Sequence, residues 1–168
     1  MPMTQALDTE ATTGVATDAK QYLTFLLAET EYGIDILRVQ EIRVWDTATP
    51  LPNTPEYIRG VMNLRGAIVP VIDLRQRFGL ASLPYGPTTV VIVLRVPHDH
   101  GSRVVGIVVD AVSDVYHISD AELQPPPDCG DAIGTNIVTG LATVNEKMVI
   151  IVDSDQLLNA GELTVITG

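Results

Sequence analysis

The amino-acid sequence predicts an all-β protein with short helices, built from two packed five-stranded β-barrels. Three observations support this prediction. Val, Ile and Leu carry most of the apolar content, and β-branched side chains fit the pleated surface of a sheet. About ten short apolar or alternating segments are separated by turn residues. Part of the sequence pattern also occurs twice, which indicates a duplicated β unit.

The duplication has two offsets. A pattern of six similar residues occurs again 73 positions later. The first set is Gly33, Ile34, Ile36, Val39, Glu41 and Ile42, and the second is Gly106, Ile107, Val109, Val112, Asp114 and Val115. Gly60 and Asp73 recur 80 positions later as Gly140 and Asp153. We expect the duplicated strands to form small closed barrels, because closure removes exposed strand edges.

The chain divides into one domain and two tails. Residues 1–20 have no hydrophobic period and are predicted to be a flexible tail, and a C-terminal tail is predicted at 159–168. The domain spans 21–158. Ala81–Pro87 holds two prolines and a glycine and is the best candidate seam. The first barrel is therefore predicted at about 21–84 and the second at about 85–158, with an exchange of strands between them left open.

The first half contains five predicted strands. They are Tyr22–Ala28, Tyr32–Leu37, Val39–Trp45, Val61–Leu64 and Ala67–Ile72. In the third strand, Val39, Glu41 and Arg43 are expected on one face, with Ile42 and Val44 on the other.

Turn and capping signals complete this half. A tight turn is predicted at Glu29–Glu31 and a hairpin turn at Arg65–Gly66. Thr54 and Pro55 fit the start of a short helix that Gly60 would end. Asp73 could cap a second short helix over Leu74–Phe78.

The second half contains four further predicted strands. They are Thr88–Val96, Ser102–Asp110, Ile137–Thr143 and Lys147–Val152, the last two joined by a turn at Asn145–Glu146. Ser119–Glu122 fits a capping box, and Gln124–Asp131 is a Pro-rich loop. Asp153 or Ser154 could cap a final short helix that ends at Leu158.

Composition argues against several classes of function. The net charge of −11 repels nucleic acid phosphates and anionic lipid, so neither a nucleic acid partner nor direct membrane contact is expected. Cys129 is the single cysteine, which is typical of a reducing compartment and suggests a cytoplasmic protein. The longest apolar runs are far shorter than the ~20 residues of a membrane helix.

Catalytic and metal-binding motifs are weak. Asp73, Asp110 and Asp153 follow apolar strands without a neighbouring histidine or nucleophile, so capping and turn roles are expected. His98 and His100 are interpreted as part of a solvated loop, and Cys129 has no base nearby in sequence. No cofactor, metal or enzymatic activity is predicted.

Many of these segments occur together in a known family. They are Tyr32–Leu37, Val39–Arg43, Thr54–Pro55, Ile58–Val61, Asn63–Gly66, Ile68–Arg75, Val104–Asp110, Val112–Val115, Thr139–Leu141 and Met148–Val152. In this order and spacing the chain resembles the CheW family of bacterial chemotaxis coupling proteins over roughly residues 22–158.

The resemblance implies two SH3-like β-barrels around a shared apolar core. It implies an adaptor with no catalysis of its own, which couples transmembrane chemoreceptors to the histidine kinase CheA. The partners would be the regulatory domain of the kinase and the cytoplasmic tips of the receptors. The protein would be cytoplasmic and would be recruited to the inner face of the membrane through receptor arrays.

The resemblance also implies a contact surface for the receptor and the kinase. The predicted contact residues are Val39, Glu41, Ile42, Gly60, Asn63, Leu64, Arg65 and Gly66. A barrel could bring Glu41 beside Arg65, where the charged pair would orient a docking helix tip. The alternative for this pair is a surface ion pair with no role in binding. Gly60 and Gly66 could instead serve only the backbone.

A second hypothesis is a small-molecule-binding barrel or an unrecognised hydrolase. It requires a deep polar pocket with convergent titratable groups, whereas shallow interface grooves are expected here.

Overall fold

Ten strands dominate the computed structural model, which describes residues 19–81, 84–98, 101–125 and 137–158. The first five strands are β1 Ala19–Leu27, β2 Thr30–Asp35, β3 Val39–Val44, β4 Ile58–Leu64 and β5 Ala67–Asp73. The other five are β6 Val90–His98, β7 Gly101–Val109, β8 Ala111–Ser119, β9 Val138–Val144 and β10 Lys147–Val152. The short helices are α1 Leu74–Arg77 and α2 Ser154–Leu158, with 3₁₀ turns at Ile36–Arg38 and Asp120–Glu122.

Several predicted features lie outside the described residues. They are the N-terminal tail up to residue 18, most of the Pro-rich loop with Cys129, the side chains of His98 and His100, and the tail at 159–168.

The strands form two five-stranded sheets. The terminal sheet has the order β9-β10-β2-β1-β8, and the central sheet has the order β3-β6-β7-β5-β4. Neighbouring strands are antiparallel except for β10 with β2 and β5 with β7. With β1–β5 as the first repeat and β6–β10 as the second, the two sheets have the same arrangement. The boundary near residue 84 therefore separates the repeats but not the sheets, because each sheet combines strands of both.

The two repeats agree in local detail. Gly60 in β4 and Gly140 in β9 each lie at a shift in strand register. The Asp73 N–H donates to the Tyr57 carbonyl at 2.6 Å, and the Asp153 N–H donates to the Ile137 carbonyl at 2.7 Å. Each of these pairs of equivalent residues is 80 positions apart, which is the offset that the sequence predicted.

The predicted closed barrels are instead sheets with edge strands. One bridge brings the two edges of each sheet together. In the central sheet Thr49 and Val61 exchange two hydrogen bonds of 2.9 Å, and in the terminal sheet Gln124 and Leu141 exchange two of 2.8 Å. Both bridges lie beside a glycine. A Cβ built on Gly60 would lie 2.1 Å from the Thr49 oxygen, so this approach requires glycine.

The apolar core has three parts. A shared core between the sheets contains Phe25 and Ile34 of the terminal sheet with Ile92 and Ile107 of the central sheet. Each sheet also encloses a smaller cluster of its own. In β6 the side chains alternate between the shared core and the cluster inside the central sheet, so both faces are buried. This burial explains why β6 reads as a continuous apolar run.

Local signals predicted the turns and caps well. The hairpin turns at Arg65–Gly66 and Asn145–Glu146 are confirmed, and all four residues have positive φ. Asp73 caps α1, since its carboxylate accepts from the Gln76 N–H at 3.4 Å. The capping box at Ser119–Glu122 is present, and Asp153 accepts from the Gln156 N–H at the start of α2.

Three predictions of local structure were wrong. The helix expected from Thr54 does not form, because the chain turns there and Ile58 pairs with Ile72 as the start of β4. The strand expected to reach Leu37 ends at Asp35, whose carboxylate accepts from the Leu37 N–H at 2.9 Å and begins a 3₁₀ turn. The turn after β1 lies at Ala28–Glu29, one residue earlier than predicted.

The strand β8 was not predicted at all. It carries polar residues such as Ser113, Asp114 and His117, and most of its side chains are exposed or half-buried. The strand lies at the edge of the terminal sheet and has a neighbouring strand on one side only. Its other side faces solvent, where polar side chains are expected.

We expect Gly60→Ala to lower the free energy of unfolding by about 2–4 kcal/mol. The new Cβ would collide with the Thr49 carbonyl and break the bridge that joins the edges of the central sheet, and φ at this position is +137°. Urea denaturation followed by circular dichroism measures this loss. Gly66→Ala is the matched control, because Gly66 also has positive φ (+89°) but has no atom near its Cβ position. An equal loss in both variants would show that the collision of the new Cβ with Thr49 does not cause the loss of stability.

Candidate functional site

The central sheet brings Glu41 and Arg65 together although they are 24 positions apart. Arg65 Nη1 lies 2.5 Å from Glu41 Oε1, and Arg43 Nη1 lies 3.2 Å from Glu41 Oε2. Each carboxylate oxygen therefore accepts from one guanidinium. Glu41 and Arg65 were predicted as a pair, whereas the participation of Arg43 was not. Strand alternation had placed Arg43 on the same face as Glu41, two positions later in β3, but had not indicated that it joins the ion pair.

Two elements position this triad of Glu41, Arg43 and Arg65. The strand β3 pairs with β6 and holds the carboxylate at the edge of the central sheet. The β4–β5 turn holds the guanidinium of Arg65, and the Asn63 side-chain oxygen accepts from the Gly66 N–H at 2.9 Å within this turn. The Glu41 side chain is 17% exposed, whereas that of Arg65 is 73% exposed. The triad thus presents a restrained acid beneath an accessible cation.

The two arginines change the acidity of Glu41. Hydrogen bonds from Arg65 and then from Arg43 stabilise the carboxylate, and they lower the pKa of Glu41 below its ordinary value of 4.5. Glu41 is therefore ionised at neutral pH.

A β-bulge changes the faces that were predicted for β3. Val39 pairs with Leu94, but Glu41 pairs with Val93, so one extra residue lies between them. Opposed residues of an antiparallel pair point to the same side of the sheet. Val39 therefore points towards the shared core, as Leu94 does, and not to the side of Glu41. The prediction that Val39 and Glu41 share a face was wrong.

The other predicted contact residues have different environments. Ile42 is 44% exposed on β3, and Asn63 is exposed beside the triad. Leu64 is 5% exposed and packs inside the central sheet, so its side chain contributes to folding. Gly60 is buried at the bridge to Thr49. The structure therefore brings polar residues of the predicted set to one surface and leaves Leu64 and Gly60 beneath it.

Further exposed apolar residues were missed by sequence reasoning. Leu37 is 82% exposed, Val44 is 72% exposed and Ile68 is 64% exposed. Leu37 and Val44 flank Ile42 on the same segment of chain. A contiguous exposed apolar patch is typical of protein-binding surfaces, whereas single exposed apolar residues are common. The alternation within β3 could have indicated Val44, but Ile68 lies in an apolar run that gives no such signal.

A groove of about 610 Å³ lies at one end of the central sheet. Its lining combines apolar side chains of β4 and β5 with Arg95 and Arg103 of β6 and β7, and among the described residues it includes no carboxylate or histidine. Arg95 donates to the Gln40 oxygen at 3.0 Å and to Ser102 at 3.0 Å. This groove does not present the convergent acid and base that hydrolysis requires.

Within the described ranges, no three or more His, Cys, Asp or Glu side chains are grouped so that they could hold a metal ion. No helix in the described part of the chain has the length and apolarity to cross a membrane.

Comparison with known proteins gives consistent matches. The family model for the CheW-like domain matches residues 21–162. The chemotaxis protein CheW of Klebsiella aerogenes is 47% identical over 150 residues, which cover 89% of this chain and 88% of that protein. Protein FrzA of Myxococcus xanthus is 30% identical and covers 83% of this chain and 85% of its own length. The crystal structure of the scaffolding protein TtCheW from Thermoanaerobacter tengcongensis matches with a TM-score of 0.76 at 36% identity, covering 87% and 93% of the two chains.

We expect Arg65→Gln to raise the pKa of Glu41 towards 4.5, because the variant removes the main hydrogen bond that stabilises the carboxylate. The depressed pKa means that the ion pair stabilises the fold above pH 4.5 and that this contribution is lost as pH falls through the lower, folded value. Carbon-detected NMR titration of the Glu41 carboxyl group measures the change. Arg95→Gln is the control, since Arg95 bonds Gln40 and Ser102. An unchanged Glu41 pKa in Arg65→Gln would contradict the assignment.

Proposed function

The chain belongs to the CheW-like family, and we propose that it is a chemotaxis adaptor that couples transmembrane chemoreceptors to the histidine kinase CheA. The family match over most of the chain supports a scaffold role in chemotaxis. The coupling of a particular receptor to the kinase is the finer part of the proposal. In this role the protein is held at the inner face of the membrane by the receptors that it binds.

The receptor-binding surface is proposed at the triad of Glu41, Arg43 and Arg65. One observation carries this assignment: a restrained ion pair lies on one face of an edge strand whose opposite face exposes Ile42 and Val44. Apolar contact would supply the binding energy for the helical hairpin tip of a receptor. The ion pair would set the orientation and register of that tip, because charges at an interface contribute mainly to specificity.

The kinase-binding surface is proposed on exposed apolar residues of the terminal sheet. The resemblance implies that the regulatory domain of the kinase has the same fold and pairs with the adaptor barrel to barrel. Val115 and Met148 of the terminal sheet are 38% and 58% exposed. They stand 73 and 80 positions after Ile42 and Ile68, which are exposed on the central sheet. The terminal sheet therefore exposes apolar side chains at positions equivalent to exposed positions of the central sheet, which suits a partner of the same fold.

The adaptor acts by geometry in this proposal and catalyses no reaction. Receptor and kinase bind to different surfaces of one rigid body, so a change in the receptor shifts the conformational equilibrium of the kinase. A small-molecule-binding barrel or a hydrolase is the weaker alternative, because the family match over most of the chain favours a scaffold role.

We expect Glu41→Lys to weaken binding to a receptor signalling fragment by roughly tenfold or more. The new lysine would lie beside Arg43 and Arg65 and place three cations together on the docking surface. Binding to the kinase regulatory domain should be unchanged. Both affinities can be measured by isothermal titration calorimetry with purified fragments, after circular dichroism has shown that the variant is folded.

Asp114→Lys is the matched control for this experiment. Asp114 occupies the position equivalent to Glu41 in the terminal sheet and is exposed, so the substitution makes the same change in charge on the other sheet. Receptor binding should survive in this variant. If folded Glu41→Lys binds the receptor fragment as tightly as the unmodified protein does, the assignment of this surface is wrong. If neither partner binds the unmodified protein, the proposed function itself is wrong.

A further inference from the structure

Two bidentate ion pairs lie where the chain passes from one sheet to the other. Arg38, in the 3₁₀ turn between β2 and β3, donates from Nε and Nη2 to the two oxygens of Asp155 in α2 at 2.8 and 3.0 Å. Asp110, between β7 and β8, accepts from Nε and Nη2 of Arg75 in α1 at 2.8 and 2.7 Å. Each pair thus joins a crossover segment of one repeat to a helix of the other repeat.

The two pairs are equivalent in position but opposite in charge. Asp155 stands 80 positions after Arg75, the offset that relates the two helices. Asp110 stands 73 positions after Leu37, which is next to Arg38 and belongs to the same crossover. The first repeat therefore supplies a cation at both of its positions, and the second repeat supplies an anion at both.

The Arg75–Asp110 pair is restrained by its surroundings. The Arg75 side chain is 11% exposed and also donates to the Ala81 carbonyl at 3.0 Å. Asp110 also accepts from the Ala28 N–H at 3.0 Å. Burial alone would raise the pKa of Asp110, but the hydrogen bonds from Arg75 and Ala28 keep it below its ordinary value. Bidentate, partly buried pairs of this kind have a strict geometry and tolerate a like charge poorly.

We propose that these ion pairs specify which repeats assemble with each other. Because each sheet needs strands from two repeats, repeats of different chains could in principle combine. Two copies of the first repeat would set Arg75 against Arg38, and two copies of the second repeat would set Asp155 against Asp110. Only a first repeat with a second repeat places opposite charges at both crossovers. The charge arrangement therefore opposes dimers and larger assemblies formed by pairing of like repeats.

A charge-swap experiment separates this role from plain stabilisation. The double variant Arg75→Asp with Asp110→Arg keeps an ion pair at both crossovers of the normal fold. It also gives each repeat one cation and one anion, so the pairing of like repeats is no longer repelled. After refolding from guanidinium under reducing conditions at high protein concentration, we expect roughly tenfold more dimer and higher oligomer than for the unmodified protein. Size-exclusion chromatography with light scattering measures these species.

The quadruple variant, which adds Arg38→Asp and Asp155→Arg, is the decisive control. It inverts every charge, so like repeats repel each other again, and it should refold to monomer as the unmodified protein does. The second double variant, Arg38→Asp with Asp155→Arg, should oligomerise like the first.

Three results would overturn the proposal. The first is that both double variants fold and return to monomer as completely as the unmodified protein does. The second is a quadruple variant that is as oligomeric as the double variants, because the oligomers would then arise from local disruption. The third is failure of both double variants to fold, since the proposal requires the fold to accommodate each reversed pair.

Discussion

The exchange of strands between the two repeats is the constraint on which the rest of this structure depends. Strands β1 and β2 leave the first repeat to complete the terminal sheet, and β6 and β7 leave the second repeat to complete the central sheet. Each repeat divides its five strands between the sheets, three in one and two in the other, so neither repeat forms a complete sheet by itself. The shared core between the sheets is filled by both repeats, so burial of apolar area ties the two sheets into one unit.

The same exchange determines where the functional surface lies. The crossover at Ile36–Arg38 delivers β3 to the outer edge of the central sheet, next to β6. At this edge the bulge after Val39 directs the Val39 side chain towards the shared core. The Glu41 side chain points to the other side of the strand, where it contacts the β4–β5 turn. The bridge at Thr49 then draws the two edges together, so that Arg65 reaches Glu41. The ion pair therefore depends on the closure of the whole sheet and not on neighbouring residues alone.

Sequence reasoning succeeded where a signal is local. Asn145–Glu146 and Arg65–Gly66 turn between apolar strands, and Asp73 caps the residues that follow it; each depends on a few neighbours. Sequence reasoning failed where pairing with a distant strand determines the local structure. The helix predicted from Thr54–Pro55 does not form, because Ile58 pairs with Ile72 and the strand formed there completes the central sheet.

The candidate site was predictable in part for the same reason. Glu41 and Arg65 were paired through the resemblance to a family, and strand alternation placed Arg43 on the face of Glu41. Ile68 was missed, because it lies in an apolar run and the exposure of its side chain depends on the neighbouring strands. The bulge at Gln40 could not be foreseen either, since it exists only relative to β6.

The parallel pairing of β10 with β2 has a consequence for biosynthesis. Val149 lies opposite Glu31, so these partners are 118 positions apart in the chain. The ribosome releases the amino-terminal hairpin long before the strand that must lie beside it has been translated. The nascent polypeptide therefore carries an incomplete sheet edge during most of its elongation, and maturation of the native protein waits for the last segments to emerge.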